Sequence, residues 1–237
     1  IPQPNAPAGQ ALTYAVLPFD EMPQIVNPPA GWFVNANNDP AGLTLDNEPL
    51  NKLRPGGGIL YLAYAWDRGF RAGRITDRIR NELAHRGRIS FDAMQSIQAD
   101  VKLRDAEYFA PWIVNALARA RAPGANPILG ALGADAATAE AVARLAAWDH
   151  STPTGLAEGW DAGKPAGAPP TETQIRNSVA ATIYAAWRAR VIANTIDAAL
   201  RPIGLPVPGS QEVVNALRHL LDGFEGAMGG KSGFTSQ

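Results

Sequence analysis

The sequence contains no cysteine. That excludes disulfides, thiolate metal sites and cysteine nucleophiles, while leaving the compartment open because many secreted bacterial proteins also lack cysteine. Net charge is nearly absent: 21 Lys and Arg stand against 22 Asp and Glu, for a formal net charge of -1. With no positive excess to neutralise a phosphate backbone or hold an anionic membrane, nucleic acid is not an expected partner. Histidine is scarce, and His85, His150 and His219 lie far apart in no metal-binding spacing, which argues against a zinc site or a histidine base. No run reaches the roughly 18 apolar residues of a membrane span. The first ten residues, IPQPNAPAGQ, have neither a basic n-region nor an apolar h-region, so a targeting signal, if there is one, lies outside this chain.

What is present is a hydrophobic content of 46%, ample for a core in one large domain or two small ones. The chain changes character along its length. Residues 1–66 are rich in Pro, Gly and Asn, with short apolar stretches at Leu12–Leu17, Gly31–Val34 and Ile59–Tyr64 bounded by turn residues; these read as short strands and ordered loops. From about Arg71 the period becomes helical. Ile75, Ile79 and Leu83 are spaced by four, and Phe91, Met94, Ile97 and Val101 follow Ser90, a candidate N-cap. Further helices are predicted over Asp105–Ala120, Thr138–Trp148 and from Thr171 towards Leu200, where Thr171 and Gln174 have capping-box spacing and Pro202 and Gly204 provide the stop. The segment STPTGLAEGWDAGKPAGAPP between the last two is a long connection. A final helix from Ser210 carries Val213, Val214, Leu217, Leu220, Leu221 and Phe224, an apolar stripe that must pack against something. The division is therefore α+β: residues 1–70 form a strand and loop segment, and residues 71–237 a mostly helical portion.

Several motifs have ordinary explanations. No serine lies in G-x-S-x-G, the turn that exposes a nucleophile, and Ser90 and Ser210 are explained as helix caps. Gly229-Gly230-Lys231-Ser232 imitates a phosphate loop, but Glu225 stands where its first glycine belongs and helix precedes it. Gly56-Gly57-Gly58 lacks a following helix start. Both read as loops.

The crowded asparagines Asn35, Asn37 and Asn38 are more informative. An asparagine amide offers two N–H donors, so a rigidly held one can stabilise the oxygen of an attacked carbonyl. Turn chemistry explains the same cluster, since Asn tolerates the left-handed region and forms Asx-turns. Arg68, Arg71 and Arg74, taken by themselves, read as a solvated helix face.

Asn27-Pro28-Pro29, Gly31-Trp32-Phe33, Asn35-Ala36-Asn37-Asn38, Trp66-Asp67-Arg68-Gly69-Phe70-Arg71 and Arg74-Ile75 together resemble the middle of the penicillin acylase (penicillin amidase) β chain. The likeness continues through Ser90-Phe91-Asp92-Ala93-Met94-Gln95 and Gln98-Ala99-Asp100, and more weakly to Leu145-Ala146-Ala147-Trp148-Asp149. It implies an αββα N-terminal-nucleophile hydrolase sandwich built from an α chain and a β chain, with strands near 31–37 in its core.

By the same resemblance Asn37 is the oxyanion donor, Asn35 and Asn38 shape its turn, and Arg74 is the arginine at the start of the following helix, with Arg71 the alternative. The implied reaction is hydrolysis of a linear amide through an acyl-enzyme on an N-terminal serine whose α-amine is the base. Since this sequence opens Ile1-Pro2, the serine is expected on an upstream β-chain segment, in an autoproteolytically processed heterodimer with an α chain.

The acyl group could be an aromatic acetyl group, the fatty acyl chain of a homoserine lactone or lipopeptide, or a dicarboxylic side chain. The resemblance further implies a periplasmic or secreted enzyme that needs no cofactor for its chemistry. Structural calcium is possible, with Asp39, Asp46 and Glu48 in the right neighbourhood but no ligand assigned. The rival reading is a helical interaction or scaffold module that docks a partner on Val213, Leu217, Leu220 and Phe224.

Overall fold

The computed structural model describes residues 17–43, 51–60, 62–63, 66–67, 69–153, 170–207 and 212–227. The chain parts into two compact units, one ending at Asp67 and the other beginning at Arg68.

The first unit is built from turns. A 3-10 turn over Phe19–Glu21 is tied to the glycine-rich loop by Arg54, whose Nε donates to Glu21 Oε2 at 2.6 Å. The loop closes on itself through a bridge between Leu53 and Ile59 and a hydrogen bond from Leu60 N–H to Lys52 O. A Cβ at Gly56 would lie 2.4 Å from Glu21 Oε1, so a side chain there would have to displace the carboxylate that Arg54 holds.

The strand expected at Gly31–Val34 does not form. Residues 31–35 are extended and their burial alternates, with Trp32 and Val34 partly covered and Phe33 and Asn35 exposed. Among the described residues, however, no second segment forms a ladder with them. An extended segment becomes a strand only when a neighbour takes its backbone hydrogen bonds. Of the other expected strands, Leu12–Leu17 lies outside the described residues except for Leu17, and Ile59–Tyr64 is described only in part, with Ile59 in the single bridge noted above.

The second unit is helical, and its local signals explain most boundaries. Helix α1 (Phe70–Arg86) is bracketed by Gly69 and Gly87, both at positive φ. Helix α2 (Phe91–Gln98) is capped by Ser90, whose Oγ accepts from Ala93 N–H. It stops before Val101, and only Ala93 and Ile97 of its residues are buried; Phe91 is 76% exposed. Helix α3 spans Arg104–Ala120. Helix α4 (Pro127–Ala134) was not expected, although Asn126 caps it and Pro127 opens it. Asp135 caps α5 (Ala136–Ala146), which starts two residues before the predicted Thr138. Helix α6 (Glu172–Ile192) has the full capping box of Thr171 and Gln174. It runs on through a π-turn (Ala193–Asp197), a single turn α7 (Ala198–Leu200) and a 3-10 turn (Arg201–Ile203), and ends at Gly204 with φ 71°. The last helix, α8, spans Glu212–Ala227, and Ser210 lies outside the described residues.

These helices share one core of Ala106 and Phe109 from α3, Leu145 and Trp148 at the end of α5, Ala180 and Tyr184 from α6, and Val213, Val214 and Leu217 from α8. Trp148, Tyr184 and Trp187 stack in series at 5.6 and 5.7 Å between ring centroids. The α8 stripe is thus consumed in the interior: Val213 is 0% and Leu217 3% exposed, while Leu220 is 53% exposed. A docking face made of Val213 and Leu217 is not available, and the side chain of Phe224 lies outside the described residues. None of the described helices is long and apolar enough to cross a membrane.

Candidate functional site

The asparagine turn is assembled from its own side chains. Asn35 Oδ1 accepts from the backbone N–H of Asn37 at 3.2 Å, and Asn38 Oδ1 accepts from the N–H of Ala36 at 3.0 Å. Asp39 continues the pattern by accepting from Ala41 N–H at 3.0 Å. Between these Asx-turns Asn37 takes φ 59°, in the left-handed region where Asn is among the few tolerated side chains. Its carbonyl accepts from Asp67 N–H at 2.8 Å, which fixes the turn to the end of the first unit. Ala36 is buried beneath the turn and Asn37 is exposed.

In the second unit, Arg74 lies in the second turn of α1 and is not a free surface arginine. Its Nε donates to Asp100 Oδ1 at 3.0 Å and its Nη2 to Asp100 Oδ2 at 2.7 Å, the two-point geometry that suits guanidinium and carboxylate. One turn further along, Arg78 Nη1 donates to the same Oδ2 at 2.6 Å and Nη2 to Ser96 Oγ at 2.8 Å. The alternative, Arg71, is exposed on the same helix. Asn37 belongs to the first unit and Arg74 to the second.

Asp100 was present in the sequence pattern without a role. Burial pushes its carboxyl up, but hydrogen bonds from Arg74, from Lys102 N–H and from Arg78 outweigh that and hold it at about 2. Its unfolded value is about 3.9. A carboxylate depressed on folding stabilises the fold above about pH 4 and loses that contribution as pH falls towards about 2. Acid unfolding followed by circular dichroism is therefore expected to be shallower in that window for Asp100→Asn than for the parent. Superimposable acid curves would show that the clamp does not contribute.

The second unit also has a groove of about 490 Å³ between the start of α1, the first half of α3 and α8, floored by Phe70, Phe109 and Val214. Its charges are already partnered within the unit. Arg104 pairs with Asp77, Glu107 with Lys102, and Asp105 with Arg188. Arg218 lies 3.6 Å from Asp222 and over the Tyr108 ring. Burial and the hydrogen bond to Asp222 push the Tyr108 hydroxyl up to about 12, so it does not serve as a base near neutrality. Such a groove has shape but no uncommitted charge with which to do chemistry.

His85, at the end of α1, contacts Asn81 O through Nδ1. His150 sits on the loop after α5, its imidazole lowered by burial and by Lys102. Among the described residues no group of three or more His, Asp or Glu could hold a metal ion. Of the acidic residues near the expected calcium region, Asp39 serves the turn through its side chain, and Asp46 and Glu48 lie outside the described residues.

The model of the penicillin amidase family matches residues 3–234. No curated protein and no solved structure matches the chain. Because the match takes in the asparagine turn, the arginine-bearing helix α1 and the helical core that follows, the chain belongs to the penicillin amidase family, a family of amide hydrolases.

Proposed function

We propose that this chain supplies the oxyanion donor and a positioning arginine to an acylase that cleaves an acyl group from an amine. The observation that carries the reading is the Asn37 turn. Two neighbouring side-chain amides and one backbone N–H hold residues 36 and 37 in place, so the Asn37 amide stands on a backbone organised before substrate arrives. Stabilising a developing oxyanion requires such preorganisation, because a donor that must reorder during the reaction spends its own interaction energy.

In this reading attack comes from the hydroxyl of an N-terminal serine on an upstream β-chain segment, with the serine α-amine as base and an α chain completing an αββα sandwich. The extended residues 31–35 then find their ladder partner in that assembly. Asn37 donates to the oxyanion in both the acylation and the hydrolysis step, and Arg74 holds the amide and amine in register. A periplasmic or secreted location belongs to the same reading, as does a small acyl amide substrate. No metal takes part in any step proposed, and structural calcium remains a family expectation without assigned ligands.

The test is to purify the chain with its companion segments and treat the active enzyme with a serine-directed sulfonyl fluoride. Hydrolysis of a chromogenic acyl anilide is expected to stop, with the label on the N-terminal serine of the companion. A label on any serine of residues 1–237, or an enzyme that keeps its activity when fully labelled, would overturn the reading.

Arg74→Lys is expected to lower kcat on the order of tenfold, because one ammonium cannot reproduce a planar fork that engages two groups at once. If Arg74→Lys is normal and Arg71→Lys is impaired, the active-site arginine is one helical turn earlier.

A further inference from the structure

We propose that Asp100 is a positioning residue for this acylase, holding the Arg74 guanidinium in one orientation through a two-point clamp. The inference rests on the reading of Arg74 as a site residue and adds what fixes it.

An arginine head on a flexible stem samples many orientations unless something rigid grips it. Asp100 is such a grip. Its Oδ1 accepts from the backbone N–H of Lys102 at 3.1 Å, and its own N–H donates to Ile97 O at 3.3 Å, so the carboxylate is set by the turn that ends α2. Only 9% of its side chain is exposed. Each of its oxygens accepts twice, Oδ1 from Arg74 Nε and Lys102 N–H, and Oδ2 from Arg74 Nη2 and Arg78 Nη1.

Docking α1 against α2 does not need both arginines. Arg78 already bridges the two helices, with one nitrogen on Asp100 and the other on Ser96. What Arg74 gains is direction. The clamp takes two of the five guanidinium N–H donors, and among the described residues Nη1 of Arg74 makes no hydrogen bond. One edge is thus gripped and the opposite edge left for another group. The carboxylate stays ionised at any pH at which an acylase is assayed, so the grip does not loosen within the working range.

The experiment is a double-mutant cycle in the complete enzyme, using Arg74→Gln, Asp100→Asn and the two together. kcat and KM are measured with a chromogenic acyl anilide, and the thermal midpoint is recorded for each variant. Asp100→Asn is expected to lower kcat by about ten- to a hundredfold, as a displaced orienting group does, with KM within about twofold. In the Arg74→Gln background the same change is expected to have no further effect on kcat, because the two residues act as one unit. Asp100→Glu, which keeps the charge at a shifted position, should fall between, and it carries the same cycle if Asp100→Asn does not fold. An equal loss of kcat in both backgrounds would overturn the proposal, as would a lowered melting midpoint with kcat unchanged. In either case an impaired Arg74→Gln leaves the site assignment standing. A fully active Arg74→Gln overturns the assignment itself, and the positioning role with it.

Discussion

Replacing Asn37 by alanine in the complete enzyme is expected to lower kcat by about two to three powers of ten, the usual cost of losing one oxyanion donor. Two effects must be separated, because Asn37 sits at φ 59°, where a Cβ without a compensating polar group costs roughly 1–2 kcal/mol. Alanine therefore removes the amide and also strains the turn. Glycine removes the amide at a position where it is conformationally at ease. If the amide is the oxyanion donor, Asn37→Gly loses nearly as much kcat as Asn37→Ala while keeping its thermal midpoint. Asn37→Asp keeps the shape but replaces a donor with a negative charge facing an oxyanion, so it should be the worst of the three. The outcome that sinks the assignment is an Asn37→Gly enzyme with kcat within a few-fold of the parent; the asparagines would then be turn formers alone.

The largest effect on stability is expected at Asp105. This carboxylate is 5% exposed and accepts from Tyr184 Oη at 3.1 Å and from Arg188 Nη1 at 2.6 Å, joining the first turn of α3 to the middle of α6. Burial, and then the nearby negative charge, push the Tyr184 hydroxyl well above its ordinary range, so it remains a neutral donor in need of an acceptor. Asp105→Ala leaves that buried hydroxyl unpaired and deprives Arg188 of its partner. Arg188 is 30% exposed and can turn to water, which moderates the loss, so the sum is about 3 kcal/mol. Asp105→Asn retains an acceptor for the tyrosine and is expected to cost less than half as much. Chemical denaturation of the assembled enzyme checks both, and equal stability of Asp105→Ala and the parent would show that the network contributes nothing net.

Much of the helical half was legible in the sequence because its signals act over three or four residues. The Ser90 cap, the Thr171 and Gln174 box and the stop at Gly204 are hydrogen-bonding or steric events decided within one turn of chain. Helix α4 carried the same kind of signal in Asn126-Pro127, but its residues Ile128, Leu129 and Leu132 are largely exposed, so it shows no buried face by which periodicity would reveal it. The π-turn at Ala193–Asp197 had no local mark at all.

The site divides in the same way. The asparagine turn could be read from the sequence because the Asn35 and Asn38 side chains bond to backbone one or two residues away. The family match over residues 3–234 agrees with the resemblance carried by those residues.

Left to itself, then, the sequence determined the family, the Ser90 and Thr171 caps, the helical period from about Arg71 and the turn-forming character of Asn35 and Asn38, all of which depend on neighbours along the chain. Only the tertiary structure decided that Gly31–Val34 has no ladder partner among the described residues. It alone decided that Val213 and Leu217 are core and not a docking face, and that Arg74 is gripped by Asp100, 26 residues away. Pairing, burial and ion-pair choice depend on which distant segments come together, and an apolar stripe or a charged side chain is compatible with many partners until the fold selects one.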